Sequence, residues 1–355
     1  MALQSTDIVE FLKPFRRVVD RKAMAVAHRA LALDVEHIRG MAPFAKLEVR
    51  ARLGLESLCY VDGATFMAVM DSLPEKEDVE FATDAGALLW ECGKAKGKMA
   101  LLEVEGMDAI THKISKKAQP FPHAAAAALR LGLLSSGGQD LAAAGYFGVV
   151  LDPRDESGLR IMSTDNDTIA AATLPGVALA SDDLVTISPE AAELLATVIG
   201  AEGKLDIGEA YVLYRDKNTR LLINRVAPLT RDVSATLAKF DGSAIKTQIP
   251  RDRINAFIKR SAALAENGRR DLKITLRVKA GEMAMAFQGA TAMSDEYCLA
   301  DNLKIKQEMS VEVHVERMAR ALSHVEEIIL DYADRGILIF AGGSPSFRYL
   351  VAGAA

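Results

Sequence analysis

The chain has 355 residues, of which 50% are hydrophobic, 26% are charged and 11 are proline. This length suffices for two or three domains of about 100–150 residues, and the composition excludes a largely disordered chain. The formal net charge of −5 argues against a protein whose whole surface binds nucleic acid, because phosphate binding needs basic residues. An acidic outer surface around a basic channel would give the same sum.

The cysteines and the apolar segments indicate a cytoplasmic protein without metal or membrane anchor. Cys59, Cys92 and Cys298 lie too far apart for a C-x-x-C ligand pair, and their odd number cannot form a complete set of internal disulfides. The histidines are scattered, so neither a metal nor a cofactor is expected. The first residues lack the features of a signal peptide, and no apolar run approaches the ~20 residues that span a bilayer.

Helices of a first type are predicted at three places. The first runs from about Thr6 to Asp20, where apolar residues recur on one face. Two similar helices begin near Pro122 and near Pro250, since proline is favoured in the first turn of a helix.

A second type of helix follows segments that alternate apolar and polar residues. These helices begin after Val61, Ile187 and Val313, which are evenly spaced by 126 residues. A strand–turn–strand pattern follows each of them. The same order of elements three times predicts an α+β protein of three repeated units, each with two helices packed on antiparallel sheets. Breaks in the pattern divide the chain into units of residues 1–118, 119–245 and 246–355.

This order of elements resembles the bacterial sliding clamp, the β subunit of the replicative polymerase, over essentially the whole chain. The most specific segments are FLKPF at residues 11–15, GVVLD at 148–152 and STDNDTIAAATLP at 163–175. In the last segment Thr164 and Asp165 match the family's turn, and Asn166 replaces a glycine. Asparagine is the residue that best shares the left-handed backbone geometry of glycine. The resemblance implies a divergent, cellular or virus-encoded member with the three-domain DNA clamp fold.

The resemblance implies a ring that encircles duplex DNA without reading its sequence and that is not an enzyme. Two protomers, joined head to tail, would form the ring, although a trimer is an alternative. The helices would line the channel, and their basic side chains would contact phosphates. The residues expected to face DNA are Lys13, Arg16, Arg17, Arg21, Lys22, Arg130, Arg251, Arg253, Lys259, Arg260, Arg317 and Arg320. The alternative for each is an ordinary solvated helix face.

The family's DNA polymerase and clamp loader insert short peptide motifs into an apolar pocket between the second and third domains. Carried over by position, the partner pocket comprises Tyr146, Val150, Thr164, Asn166, Asp167, Thr168, Ile169, Leu350, Val351 and Ala352. Two departures predict a shallower groove: the basic residue after the turn is absent, and VAGAA replaces the apolar ending. The peptide motif would then differ, or the partner would bind elsewhere. Alternatively, the apolar residues are simply core.

Ring closure would use strand edges of the first and third units, for which residues 98–104 and the strand near 272–278 are candidates. Two rival functions remain at this stage. A clamp-like interaction scaffold that does not encircle DNA would explain the negative charge and the few basic residues of the second unit. An unrelated α+β enzyme would lack three similar domains, and no catalytic motif supports it.

Overall fold

A computed structural model describes residues 3–179, 183–230, 232–240, 246–265, 272–288, 294–303, 308–325, 327–333, 336–341 and 346–353. These residues form two compact units. Unit 1 comprises the described residues of Met1–Ala126, Val177–Ser181 and Glu190–Val226. Unit 2 comprises those of Ala127–Gly176, Asp182–Pro189 and Ala227–Ala355.

The helices occur where the sequence predicts them, with one addition. The α-helices are α1 (Ser5–Leu12), α2 (Gly63–Asp71), α3 (Ala125–Gly132), α4 (Pro189–Val198), α5 (Val233–Ala238), α6 (Arg251–Leu264) and α7 (Val315–Leu322). The first is shorter than expected because the chain continues from Lys13 to Arg17 as a 3-10 helix, in which Pro14 has no N–H to donate. Helix α5 was not predicted. None of the described helices is long and apolar enough to cross a membrane.

Strands make up most of the remaining ordered chain. Those before α4 are β1 (Leu3–Gln4), β2 (Ala30–Leu33), β3 (His37–Ala42), β4 (Ala45–Arg50), β5 (Cys59–Asp62), β6 (Asp78–Asp84), β7 (Ala87–Cys92), β8 (Ala95–Ala100), β9 (Gln119–Pro120), β10 (Val149–Asp152), β11 (Gly158–Thr164), β12 (Thr168–Pro175) and β13 (Val185–Ile187). Those after α4 are β14 (Lys204–Ile207), β15 (Tyr211–Arg215), β16 (Thr219–Asn224), β17 (Lys246–Pro250), β18 (Lys273–Lys279), β19 (Gly281–Gln288), β20 (Ser294–Leu303), β21 (Met309–His314), β22 (Glu327–Ala333), β23 (Gly336–Ala341) and β24 (Ser346–Ala352).

Each unit contains one sheet of four strands and one of eight, and the pairings within these sheets are antiparallel. Unit 1 has the orders β1-β6-β7-β8 and β5-β2-β3-β4-β16-β15-β14-β9. Unit 2 has the orders β13-β10-β11-β12-β24-β23-β22-β17 and β20-β19-β18-β21. The long sheets join distant parts of the chain: β4 pairs with β16 in unit 1, and β12 pairs with β24 in unit 2.

The strand order repeats three times with a period of eight strands. The series β5-β2-β3-β4 recurs as β13-β10-β11-β12 and again as β21-β18-β19-β20. Likewise β8-β7-β6-β1 recurs as β16-β15-β14-β9 and as β24-β23-β22-β17. The threefold repeat inferred from element order is therefore present in the sheet topology, and the α+β fold class is confirmed. The boundaries after residues 118 and 245 stay predictions.

The centre of the long sheet in unit 2 is covered on both faces. All four residues of β10 are buried, and so are the first five of β12. A strand covered on one side only would alternate between buried and exposed residues, as β3 nearly does in unit 1. Something therefore packs on each side of β10 and β12, which are the strands that carry the predicted partner pocket.

Candidate functional site

The predicted pocket residues come together in unit 2 on three adjacent strands and one turn. Ile169 of β12 lies directly opposite Leu350 of β24, and Thr168 lies opposite Val351. Val150 lies on β10, two strands away from β12. The chain places these distant segments side by side because β24 pairs with β12, which no local sequence signal specifies.

The turn between β11 and β12 has the geometry expected from its sequence. Asn166 has a φ of 78°, in the left-handed region that asparagine tolerates best among residues with a side chain. Asp165 Oδ1 accepts hydrogen bonds from the backbone N–H of Thr168 at 2.7 Å and from its hydroxyl at 2.8 Å. The hydroxyl of Tyr146 donates to Asn166 Oδ1 at 3.0 Å, which brings another predicted pocket residue to the turn.

The C-terminal strand is attached to this turn through the backbone. Ala352 donates its N–H to the carbonyl oxygen of Asp167 at 2.9 Å. The turn and the end of β24 thus form one rim of the predicted pocket. Replacement of the family's large apolar ending by small residues leaves Ala352 half-buried at that rim.

The apolar floor of the predicted pocket is occupied by another part of the same chain. Val150, Ile169 and Leu350 are 3%, 3% and 7% exposed. They form one hydrophobic cluster with Val233, Leu237 and other side chains. The covering residues come from α5 and the residue pair after it, a segment that the sequence analysis missed. Its signals were an Asp at the helix start and apolar residues that recur at helical spacing.

Two arginines that were expected to face DNA bind the acidic residues of the same turn. Arg317 Nη2 lies 2.7 Å from Asp167 Oδ2, and Arg320 Nη1 lies 2.7 Å from Asp165 Oδ2. Both arginines belong to α7, so the pairs join this helix to the turn. Because each guanidinium has a carboxylate partner, its charge is partly neutralised before any phosphate approaches.

A buried carboxylate lies at the end of β10. Burial by itself would raise the pKa of Asp152, but hydrogen bonds and charge from Arg154 outweigh burial and hold this pKa below its usual value. Arg154 donates to both carboxylate oxygens, at 2.9 and 2.8 Å. Ser234 of α5 also donates to Asp152 Oδ2, at 3.3 Å. The carboxylate is thus a fixed anion beside the apolar cluster.

The other basic residues predicted to face DNA are all at least partly exposed. In unit 1, Arg16 is 2.6 Å from Asp71, and Arg17 is ion-paired with Glu193. Lys13 is paired with Glu10 one helical turn away. Arg21 and Lys22 follow in an exposed turn. Acidic partners therefore reduce the positive charge of this surface more than the sequence alone indicated.

Unit 2 carries the remaining candidates on α3 and α6. Arg130, Lys259 and Arg260 are exposed, whereas Arg251 is half-buried. The guanidinium of Arg260 lies 4.9 Å above the centre of the Tyr297 ring. Arg253 donates to the carbonyl oxygen of Leu299 at 3.1 Å, although its residue as a whole is exposed. The positions are compatible with contact to a polyanion, and DNA contact stays a prediction for each.

The sheet edges differ from expectation at one of the two predicted seams. Strand β8 overlaps residues 98–104 and is an edge strand, with β7 as its partner among the described strands. Strand β18, near residues 272–278, has neighbours on both sides, β19 and β21. The expectation of a seam at β18 is therefore wrong, because its backbone hydrogen bonds are already used. The free edges of that sheet, within the described chain, are β20 and β21.

The described residues contain no cluster of three or more acidic, histidine or cysteine side chains that could hold a metal ion. The buried thiol of Cys59 is not a reactive nucleophile, because burial raises its pKa to about 11.

Comparison with known proteins gives a consistent picture of the fold. No protein-family model matches the chain, and no curated protein matches it. Solved structures of bacterial DNA polymerase III β subunits match its full length. The subunit from Thermotoga maritima has a TM-score of 0.87 at 12% identity, covering 100% of this chain and 98% of that chain. The sliding clamp from Pseudomonas aeruginosa, in complex with griselimycin, has a TM-score of 0.85 at 16% identity, covering 100% and 99%.

The sliding clamp from Bacillus subtilis has a TM-score of 0.83 at 16% identity, again covering 100% of this chain and 98% of that chain. Identities this low establish the architecture, and the threefold strand repeat agrees with it. The chain has the DNA clamp fold of the bacterial polymerase III β subunits.

Proposed function

We propose that this protein is a DNA sliding clamp, a non-catalytic ring that encircles duplex DNA and tethers a polymerase. The observation that carries the proposal is the full-length match in fold, at TM-scores of 0.82 to 0.87, to sliding clamps from several bacteria. A topological tether needs only weak contacts with phosphates, so paired surface arginines and a net charge of −5 are compatible with it.

Ring closure is proposed to occur through β8 of one protomer and β20 of the next. Both are edge strands among the described residues, and unpaired edges invite pairing with another chain. Their charges are complementary: Lys96 and Lys98 are exposed on β8, and Glu296 is exposed on β20. A head-to-tail contact of this kind closes into a ring of two or three protomers.

Replacing both Lys96 and Lys98 with glutamate tests this seam. We expect the solution mass, measured by light scattering, to fall from a multiple of the 38.2 kDa protomer to the protomer itself. Lys94→Glu is the matched control, since Lys94 carries the same exposed charge just before β8 begins. A wild-type protein that is already monomeric would contradict the seam.

Encirclement is tested by retention on DNA of two topologies. The protein is loaded on nicked circular DNA, with a clamp loader if needed, and half of the sample is cut once. Retention on circles and loss from the cut DNA at moderate salt is the expected result. Equal retention on both forms would favour the alternative function, a scaffold that binds proteins without encircling DNA, which the acidic partners of Arg16, Arg17, Arg317 and Arg320 also support.

Polymerase and loader peptides are proposed to bind the pocket formed by Val150, Ile169, Leu350 and the turn at Asn166. The wall of apolar side chains beside polar backbone is typical of peptide-binding grooves.

A further inference from the structure

Helix α5 has no counterpart in the other repeats. Each set of eight strands has two helices, which are α1 and α2, α3 and α4, and α6 and α7. The equivalent connection between β8 and β9, residues 101–118, contains turns but no helix. α5 is therefore an addition to the repeated fold, and it lies in the connection after β16.

The added segment presents three apolar side chains on one face. Val233, Leu237 and Phe240 are 3%, 1% and 5% exposed. Their spacing of four and three residues places them on a single helical stripe. Ala238 and Lys239, between them, are exposed.

This stripe packs on the three side chains that are expected to anchor a partner peptide. Val150, Ile169 and Leu350 share one cluster with the stripe. Anchoring side chains of a bound peptide give most of their binding energy by filling such an apolar floor. A peptide cannot fill it while Leu237 and Phe240 are there.

The polar attachments of the segment are few and long. Thr230 donates its N–H to the carbonyl oxygen of Gly145 at 3.2 Å. Arg160 donates to Ser234 Oγ at 3.3 Å, and Arg348 Nη2 donates to the carbonyl oxygen of Leu237 at 3.4 Å. Hydrogen bonds this long are at the weak end of the range. A helix of six residues is also unstable by itself, so α5 depends on the apolar stripe.

We propose that residues 229–240 are an internal occupant of the partner pocket, and that a partner peptide with three apolar side chains at similar spacing binds by displacing them. This inference rests on the proposed function for the identity of the pocket. The apparent affinity for a partner is then reduced by the fraction of molecules in which the segment is in place.

The test uses a fluorescein-labelled synthetic peptide of residues 229–240 as the probe, with full-length protein. We expect Leu237→Asp, which cannot keep its buried position, to bind the peptide at least about tenfold more tightly than the wild type, as measured by fluorescence anisotropy. Ala238→Asp is the matched control because it adds the same charge on the exposed face of α5. It should bind like the wild type, and a scrambled peptide should bind neither protein.

A second variant guards against misfolding of the first. Phe240→Asp removes the other end of the stripe, and circular dichroism and thermal melting identify which variants are folded. Equal affinity of the wild type and a folded variant, or binding by neither at millimolar peptide, would overturn the proposal. The result is independent of DNA encirclement. If the wild type is not retained on circular DNA but the probe still binds Leu237→Asp, the clamp function fails and the internal occupant stands.

Discussion

Arg317 and Asp167, which are separated by 150 residues in the sequence, form an ion pair with an N–O distance of 2.7 Å. The pair joins α7 to the turn between β11 and β12, and the neighbouring pair of Arg320 with Asp165 repeats the connection. Side chains assigned to two different functional surfaces by sequence are thus partners of each other.

The energy of this contact is measurable by a double-mutant cycle. The side chains of Arg317 and Asp167 are 24% and 46% exposed, so water screens the pair, and we expect a coupling of about 0.5–1 kcal/mol. Urea denaturation of Arg317→Ala, Asp167→Ala and the double variant gives the value. A control cycle of Asp167→Ala with Lys279→Ala, whose partner is Glu282, should be additive. A coupling no larger than that of the control would contradict the contact.

The same pairs should restrain DNA binding. In Asp165→Asn with Asp167→Asn, the turn keeps its oxygen acceptors, but Arg317 and Arg320 lose their carboxylate partners. We expect tighter DNA binding with a steeper salt dependence, by about 0.9 in the logarithmic slope for each phosphate gained. Asp252→Asn with Glu316→Asn changes the net charge equally on α6 and α7. If that control binds DNA as tightly and with the same slope, release of the two arginines is not the cause.

The left-handed backbone at Asn166 predicts how this position responds to substitution. Alanine and glycine both remove the hydrogen bond from Tyr146, but only alanine has a side chain that is strained at a φ of 78°. We expect Asn166→Ala to be about 1 kcal/mol less stable than Asn166→Gly in chemical denaturation. Equal stabilities would show that the turn does not hold this conformation.

His314, just before α7, should make stability depend on pH. Burial and the nearby Arg317 and Lys273 hold its pKa below the ordinary value of 6.5, against the opposing charges of Asp167 and Glu312. The unfolded chain therefore binds the proton more readily, and stability is lost as pH falls from about 6.5 towards the folded-state pKa. Above this range His314 contributes no pH dependence.

Replacement by asparagine, which also suits the residue before a helix, should flatten the decrease in unfolding free energy between pH 7 and pH 5. Denaturation curves at several pH values for wild type and His314→Asn provide the comparison. Parallel pH dependence in the two proteins would exclude His314 as the source.

The fold could be predicted from sequence where local signals repeat. The prolines near residues 122 and 250 and the even spacing of Val61, Ile187 and Val313 identified six helices, and the threefold strand order agrees. The turn at Asn166 was predictable because one residue type favours one backbone geometry. Those signals involve residues close together in the chain.

The parts that were missed depend on packing between distant segments. Helix α5 is too short for a clear period, and its apolar stripe indicates a buried face without indicating what it covers. The partnership of Arg317 with Asp167 requires β12 and β24 to be neighbours, which spacing does not reveal. The position of β18 inside its sheet likewise follows from strand order, so its sequence resembled that of an edge strand.

The pairing of β12 with β24 also determines when the long sheet of unit 2 can be completed during synthesis. About 170 residues separate the end of β12 from the start of β24. Since a ribosome adds about 5–20 residues per second, β12 waits roughly ten seconds or more with one edge unpaired. Such late, non-local closure slows folding and exposes a strand edge to other chains. Newly made chains are therefore most prone to aggregate just before the last strand emerges.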